Sequence, residues 1–245
     1  MSYTDHTNPD TALEYDRVAP DYDQRFSNSF DRAEEEFIFD QFRNHIRAAD
    51  ILDIGCGTGL VKRLADMELF KPRSYVGIDY SAKMIEQAKF NHPDARFFLG
   101  DMLEIMDAMA PESFDTVVAM YCPLNYCEHH HSKVYASVKR ILREGGVFIN
   151  VVASSRYAVR KSHVVSAGNM RRYFDEGVYH IKAMEDQFLL KRIIRTNFAI
   201  EKYRPWLQRC PKAVNKMLFK FDSDQFTGGS GKTPLLYTFI LEKFM

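Results

Sequence analysis

Three acidic residues sit where short apolar runs give out, spaced so that they can share one ligand. Asp53 stands in Ile51-Leu52-Asp53-Ile54, Asp79 closes Tyr75-Val76-Gly77-Ile78, and Asp101 follows Phe97-Phe98-Leu99-Gly100. The first of them leads into Gly55-Cys56-Gly57-Thr58-Gly59. Alternating glycines let a loop take dihedrals closed to other residues and let a ligand approach the backbone. A helix behind such a loop offers unpaired N–H groups. Asp79, twenty residues beyond Gly59, is placed to accept hydrogen bonds from ribose hydroxyls. Asp101 can accept from an adenine amino group with the Met102 backbone beside the base, and Asp53 can fix the loop or a ligand ammonium. Any one of these acids can also cap a helix; the joint arrangement points to a nucleoside-bearing ligand.

A second cluster, Tyr121 through His131, has the residue types that contact a reacting partner. Asn125 can donate or accept hydrogen bonds, Tyr126 can pack on a planar substrate, and His129 is the leading general base because imidazole titrates near neutrality. His129, His130 and His131 also suit solvent-facing caps of the next helix, and His163 or His180 can serve as base instead. Adjacent side chains diverge and no carboxylate spacing supports them, so no metal site is expected. Position and proximity can also supply the catalysis without a dedicated base.

The elements that must hold these groups alternate. Apolar runs at 50–54, 74–78, 96–99, 114–120 and 147–153 read as strands, the fourth apolar enough for burial on both faces. Helical spacing follows at 60–67, from 82 (capped by Ser81) to about 90, and at 131–142 with Val134, Val138 and Ile141 as its buried stripe. Strand and helix in turn make βαβ units, hence an α/β fold with a doubly wound, mostly parallel sheet. Residues 1–49 form a helical prelude: a short helix over 11–19, interrupted at Pro20, and an amphipathic helix over 31–47 with Ile38, Phe42 and Ile46 on one face. The cofactor-binding core spans 50–154, a basic aromatic cap insertion 155–189, and the C-terminal part of the sheet 190–245. In that last part strands are expected at 190–196, 198–203 and 235–241, with a helix between Pro211 and Phe221.

The chain of 245 residues has formal net charge +0, which argues against a protein built mainly to coat nucleic acid. Residues 1–50 hold 12 acids against 5 Lys/Arg, and residues 156–220 hold 15 Lys/Arg against 5 acids. Either the two regions neutralise each other or face solvent, or a basic rim recruits an anionic substrate. The four cysteines form no CxxC pair, the N-terminus is polar, and no stretch is long enough to span a membrane, so a cytoplasmic monomer or homodimer is expected.

An NAD fingerprint needs G-x-G-x-x-G, and counting from Gly55 its third glycine falls on Leu60. The 226–233 stretch ends like a P-loop, but its first glycine position is Phe226 and it precedes a strand, so it reads as a turn. The chain resembles the class I S-adenosylmethionine-dependent methyltransferases instead. Asp53-Ile54-Gly55-Cys56-Gly57-Thr58-Gly59 is similar to their first motif, Val76-Gly77-Ile78-Asp79-Tyr80-Ser81 to their acidic motif, and Phe98-Leu99-Gly100-Asp101-Met102 to their adenine-side motif. Phe114 to Met120 and Leu142 to Phe148 resemble their fourth strand and the approach to their fifth.

The resemblance implies a seven-stranded Rossmann-like sheet of order 3-2-1-4-5-7-6 with strand 7 antiparallel, and S-adenosylmethionine as cofactor. It implies that Asp79 grips the ribose, that the loop Gly55, Cys56, Gly57 passes the methionine part, that Tyr80 and Met84 line the adenine site beside Gly100, and that Met120 and Tyr121 sit near the methyl group. Tyr15 and Tyr22, each followed by Asp and seven residues apart, resemble the N-terminal lid of small-molecule members. The expected reaction is methyl transfer by in-line displacement to an oxygen or nitrogen of a small organic acceptor, with Trp206 among the acceptor contacts. The alternatives are an RNA or protein methyltransferase using the basic region 156–220, or a binding protein of the same fold. DNA-directed motifs are lacking: Tyr121-Cys122-Pro123-Leu124 has neither the polar first position nor the second proline of the amino-directed enzymes, and its Cys-Pro order reverses that of the carbon-5 enzymes.

Overall fold

The computed structural model describes residues 9–67, 70–121, 123–126, 130–153, 187–196, 204–224 and 236–243. The strands are β1 Asp50–Ile54, β2 Ser74–Asp79, β3 Arg96–Leu99, β4 Phe114–Ala119, β5 Leu142–Ala153, β6 Leu189–Thr196 and β7 Leu236–Glu242. They form one seven-stranded sheet of order β3-β2-β1-β4-β5-β7-β6. The pairs from β3 to β5 are parallel, and β7 runs antiparallel to both neighbours. This is the Rossmann-like methyltransferase order expected from the motifs.

Successive residues of the central strands point to opposite faces, so each strand feeds two cores. Ile51, Val118, Ile149 and Ile240 pack on one face with helices α3 (Ser29–Asp40), α4 (Leu60–Met67) and α5 (Ala82–Asn91). Leu52, Val117, Phe148 and Leu241 pack on the other with α6 (Met102–Ala108) and α7 (His131–Ile141). Helices α8 (Arg204–Leu207) and α9 (Lys212–Asp224) fall between β6 and β7, and Phe219 of α9 stacks on Phe37 and packs at a tilt against Phe30 of α3.

Two boundaries differ from expectation. Helix α3 stops at Asp40 and a 3-10 turn, Arg43–His45, follows. The spacing of Phe42 and Ile46 nevertheless mimics a longer helix, because the tighter turn keeps both side chains buried. Strand β5 begins at Leu142 rather than after the Gly145-Gly146 pair. Its register against β4 jumps between Phe114↔Leu142 and Thr116↔Val147, so the glycines form a bulge inside the strand, with Gly145 at φ 68°. The cap expected over 155–189 lies outside the described residues except for its last three, and so do the strand expected at 198–203 and the turn at 226–233.

No described helix is long and apolar enough to cross a membrane. The acidic N-terminal region and the described part of the basic region do pair: Arg204 binds Asp31, Lys212 reaches Glu36 at 2.6 Å, and Lys216 reaches Glu36 at 3.2 Å and Asp40 at 3.3 Å.

Candidate active site

Strand β1 delivers Asp53, 1% exposed, to the head of the glycine loop. The Tyr75 hydroxyl donates to its Oδ2 at 2.5 Å, while Oδ1 is buried with no hydrogen-bond partner among the described residues. Burial pushes this carboxyl up to about 7; the Tyr75 hydrogen bond opposes the shift and the charge of Asp79 adds to it. At the end of β2 the Asp79 carboxylate ties the loop down, accepting from Gly57 N at 2.8 Å and Ser81 N at 2.9 Å. Burial raises its pKa against those N–H bonds. Two glycines are required by geometry. Gly57, at φ 54°, has nothing within 4 Å of the position a Cβ would take, so its backbone faces open space. Gly55, at φ 65°, would place a Cβ 2.3 Å from Pro123 Cβ, so only glycine lets the turn after β4 close over the loop.

Helix α1 (Pro9–Val18), a 3-10 turn and α2 (Tyr22–Arg25) lie against this loop. The two Tyr-Asp pairs divide their labour. Asp16 Oδ1 accepts from Ser81 Oγ at 2.6 Å and Lys83 N at 3.0 Å, holding α1 to the start of α5. Asp23 Oδ1 accepts from Thr58 Oγ1 at 2.6 Å and Oδ2 from Asn91 at 3.2 Å, holding α2 to the glycine loop and α5. The paired tyrosines turn inward. Tyr15 meets Tyr22 with ring centroids 6.4 Å apart and meets Tyr126 edge-on at 6.0 Å, their hydroxyls 3.1 Å from each other.

At the end of β4, Tyr121 takes φ 58°, a strained value for a bulky residue and one often found at functional sites. Its hydroxyl donates to Glu34 Oε1 of α3 at 3.4 Å. The 3-10 turn Pro123–Tyr126 follows. His131 is buried, its Nε2 3.0 Å from Leu124 O, so it braces that turn and is not the solvent-facing cap that the histidine run suggested.

One cavity runs along these parts. Its wall brings together Tyr15, Tyr22, Asp53, Gly55, Cys56, Gly57, Asp79, Tyr80, Met84, Gly100, Met102, Met120, Tyr121 and Tyr126. Asp101 is absent from the wall: its Oδ1 caps α6, accepting from Leu103 N at 2.8 Å and Glu104 N at 3.4 Å. Trp206 is also absent, being 64% exposed on α8, whose neighbouring Leu207 takes the buried position. Of Asn125 only the backbone is described, and His129, His163 and His180 lie outside the described residues. Thr11, Thr58, Ser81 and Pro123 line the cavity without having been named as site residues from the sequence. For Thr58 and Ser81 the available signal was adjacency to the glycine loop and to Asp79.

An orphaned buried carboxylate oxygen and an open glycine backbone in one cavity suit a ligand with both a cation and a polar chain. Residues 51–146 match the family described as methyltransferase domain. Those residues run from β1 through the glycine loop and the end of β4 into β5. An uncharacterised protein of Methanocaldococcus jannaschii is 30% identical to the chain over 147 residues, 57% of this chain and 50% of that protein. The chain thus spans no more than about half the length of the curated relatives it matches. Among solved structures, a putative sarcosine dimethylglycine methyltransferase of Galdieria sulphuraria has TM-score 0.58 at 14% identity, with 87% of this chain and 86% of that chain covered. A phosphoethanolamine N-methyltransferase of Haemonchus contortus, in complex with S-adenosyl-L-methionine, has TM-score 0.63 at 17% identity, with 94% and 57% covered. At those identities the likeness shows the shared fold of the methyltransferase domain.

Proposed function

We propose that the protein transfers a methyl group from S-adenosylmethionine to an oxygen or nitrogen of a small organic acceptor enclosed between α1–α2 and the end of β4. Bound cofactor supplies an electrophilic methyl on a sulfonium. Asp79 holds the ribose hydroxyls, Asp53 takes the ammonium through Oδ1, and Gly55 to Gly57 pass the methionine part. Tyr80 and Met84 flank the adenine together with Gly100 and Met102. Asp101 supports that region by capping α6. Helices α1 and α2 act as a lid, excluding water and setting the line of attack.

The observation that carries this proposal is the inward turn of Tyr15 and Tyr22 into the cavity wall, which supports a lid made from the chain's own N-terminal helices. A covered site suits a small acceptor better than a polymer. The named acceptors of the two structural relatives are small molecules, which supports the same choice. Pairing of Arg204, Lys212 and Lys216 with α3 acids removes described cations that an RNA phosphate would need. The test is transfer of labelled methyl to a panel of small amines, alcohols and phenols alongside bulk RNA and protein. Label in small acceptors is expected; label confined to RNA or protein would contradict the assignment.

A further inference from the structure

Tyr75 does not line the cavity, yet its hydroxyl is bound to a residue that does, donating to Asp53 Oδ2 at 2.5 Å. The sheet sets up this contact. Strands β1 and β2 run parallel, with Ile51 opposite Tyr75 and Asp53 opposite Gly77. Tyr75 and Gly77 share a face, because strand side chains alternate. Gly77 therefore puts no side chain between the phenol and Asp53. A Cβ there would lie 2.7 Å from Phe97 Cδ1 and 2.8 Å from Cys56 Sγ. The Tyr75 ring is 6% exposed and rests edge-on against that same Phe97, with centroids 5.9 Å apart. Packing of this kind fixes the ring, and with it the hydroxyl at its tip.

The two oxygens of Asp53 thus differ. Oδ2 is held by Tyr75, while Oδ1 is buried with no hydrogen-bond partner among the described residues. A buried carboxylate oxygen left unpaired is costly unless a donor or cation comes to it. The titratable groups set around Asp53 are Tyr75 and Asp79 of β2 and Cys56 of the glycine loop, and β4 places the apolar Val118 beside it. Asp66 of α4 acts on Tyr75 in turn. Burial and the Asp79 charge favour the neutral acid at Asp53, and the Tyr75 hydrogen bond opposes them. One phenol therefore orients the carboxylate and favours the ionised form that attracts a cation. Resting on the ammonium role given to Asp53 above, we propose that Tyr75 is a positioning residue for S-adenosylmethionine, holding Oδ2 of Asp53 so that Oδ1 is the oxygen presented to the amino-acid ammonium of the cofactor. Tyr75 acts only through Asp53.

The test needs no turnover. Two ligands are titrated by calorimetry: S-adenosylhomocysteine, and its deaminated analogue in which 4-sulfanylbutanoate replaces homocysteine. The unaltered protein is expected to bind the first at least tenfold more tightly. Tyr75→Phe is expected to weaken S-adenosylhomocysteine severalfold and to leave the analogue unchanged, so that the analogue also reports an intact fold. Asp53→Asn is expected to abolish the preference, and Tyr75→Phe added to it to bring no further loss. From about pH 6 to about pH 8 affinity for S-adenosylhomocysteine is expected to rise as Asp53 ionises, and Tyr75→Phe to move that rise to higher pH. Equal weakening of both ligands would make Tyr75 a packing residue, and an unchanged affinity or an unmoved pH profile overturns the proposal as well. The two levels separate cleanly. A preference absent from the unaltered protein, or surviving Asp53→Asn, sinks the ammonium role itself. One lost in Asp53→Asn but kept in Tyr75→Phe sinks Tyr75 alone.

Discussion

Ionising Asp53 inside the folded protein forfeits hydration that water gives freely in the unfolded chain. Its carboxyl is raised from 3.8 to about 7. Across that window the folded protein holds a proton that the unfolded chain has released, so stability falls as pH rises from about 4 to about 7. The whole effect is at most about 4 kcal/mol, at 1.36 kcal/mol per pH unit. Asp53→Asn is expected to flatten much of that slope in urea melts at pH 5 and pH 8, with the raised Asp79 supplying the remainder; unchanged slopes would contradict the account. Asp79→Ala is expected to weaken S-adenosylhomocysteine binding more than tenfold, over about 1.4 kcal/mol, by calorimetry. Near-unchanged affinity would reject the ribose role. Asp53 and Asp79 are readable in sequence because each sits at the end of a strong apolar run. Asp101 has the same signature, yet a helix cap and a ligand acceptor call for the same residue type in the same place, and the N–H groups of Leu103 and Glu104 in α6 claim its Oδ1. For Trp206, composition shows an aromatic in a basic stretch but not that Leu207 would take the inward face of so short a helix.

At the scale of elements, α1 and α2 are fastened to the core by the hydrogen bonds of two aspartates. Asp16 and Asp23 bind the core at three points on two elements, the glycine loop and both ends of α5. Hydrogen bonds to a charged group contribute about 1.5–3 kcal/mol each. Asp16→Ala with Asp23→Ala is expected to speed S-adenosylhomocysteine release at least tenfold in stopped-flow chase while leaving the far-UV circular dichroism unchanged. An unaltered release rate would show that the helices do not close the site. The repeated Tyr-Asp pair is visible in the sequence, but the tyrosines draw attention and the aspartates read as surface. What decides their roles is the 100° step of a helix, which turns Tyr15 to the cavity and Asp16 to α5. The sheet was the most legible part, since each apolar run is separated by a helix of crossover length. Its least legible feature was the Gly145-Gly146 bulge, because the same dipeptide makes a turn or a bulge depending on what β4 offers across from it.

For the whole molecule, the opposed charges of the two ends of the chain are used internally where the structure describes them. Glu36 accepts from Lys212 and Lys216, and those partners hold its carboxyl below the ordinary value in spite of burial. These pairs fasten α8 and α9 onto α3, and α3 in turn presents Glu34 to Tyr121 at the site. The acidic N-terminal region, the glycine loop and the end of β4 therefore converge on one cavity. Calorimetric titration of the protein with S-adenosylhomocysteine tests that convergence most directly. The account predicts one site per chain, lost or strongly weakened in Asp79→Ala. Absence of binding, or binding of NAD in its place, would contradict it.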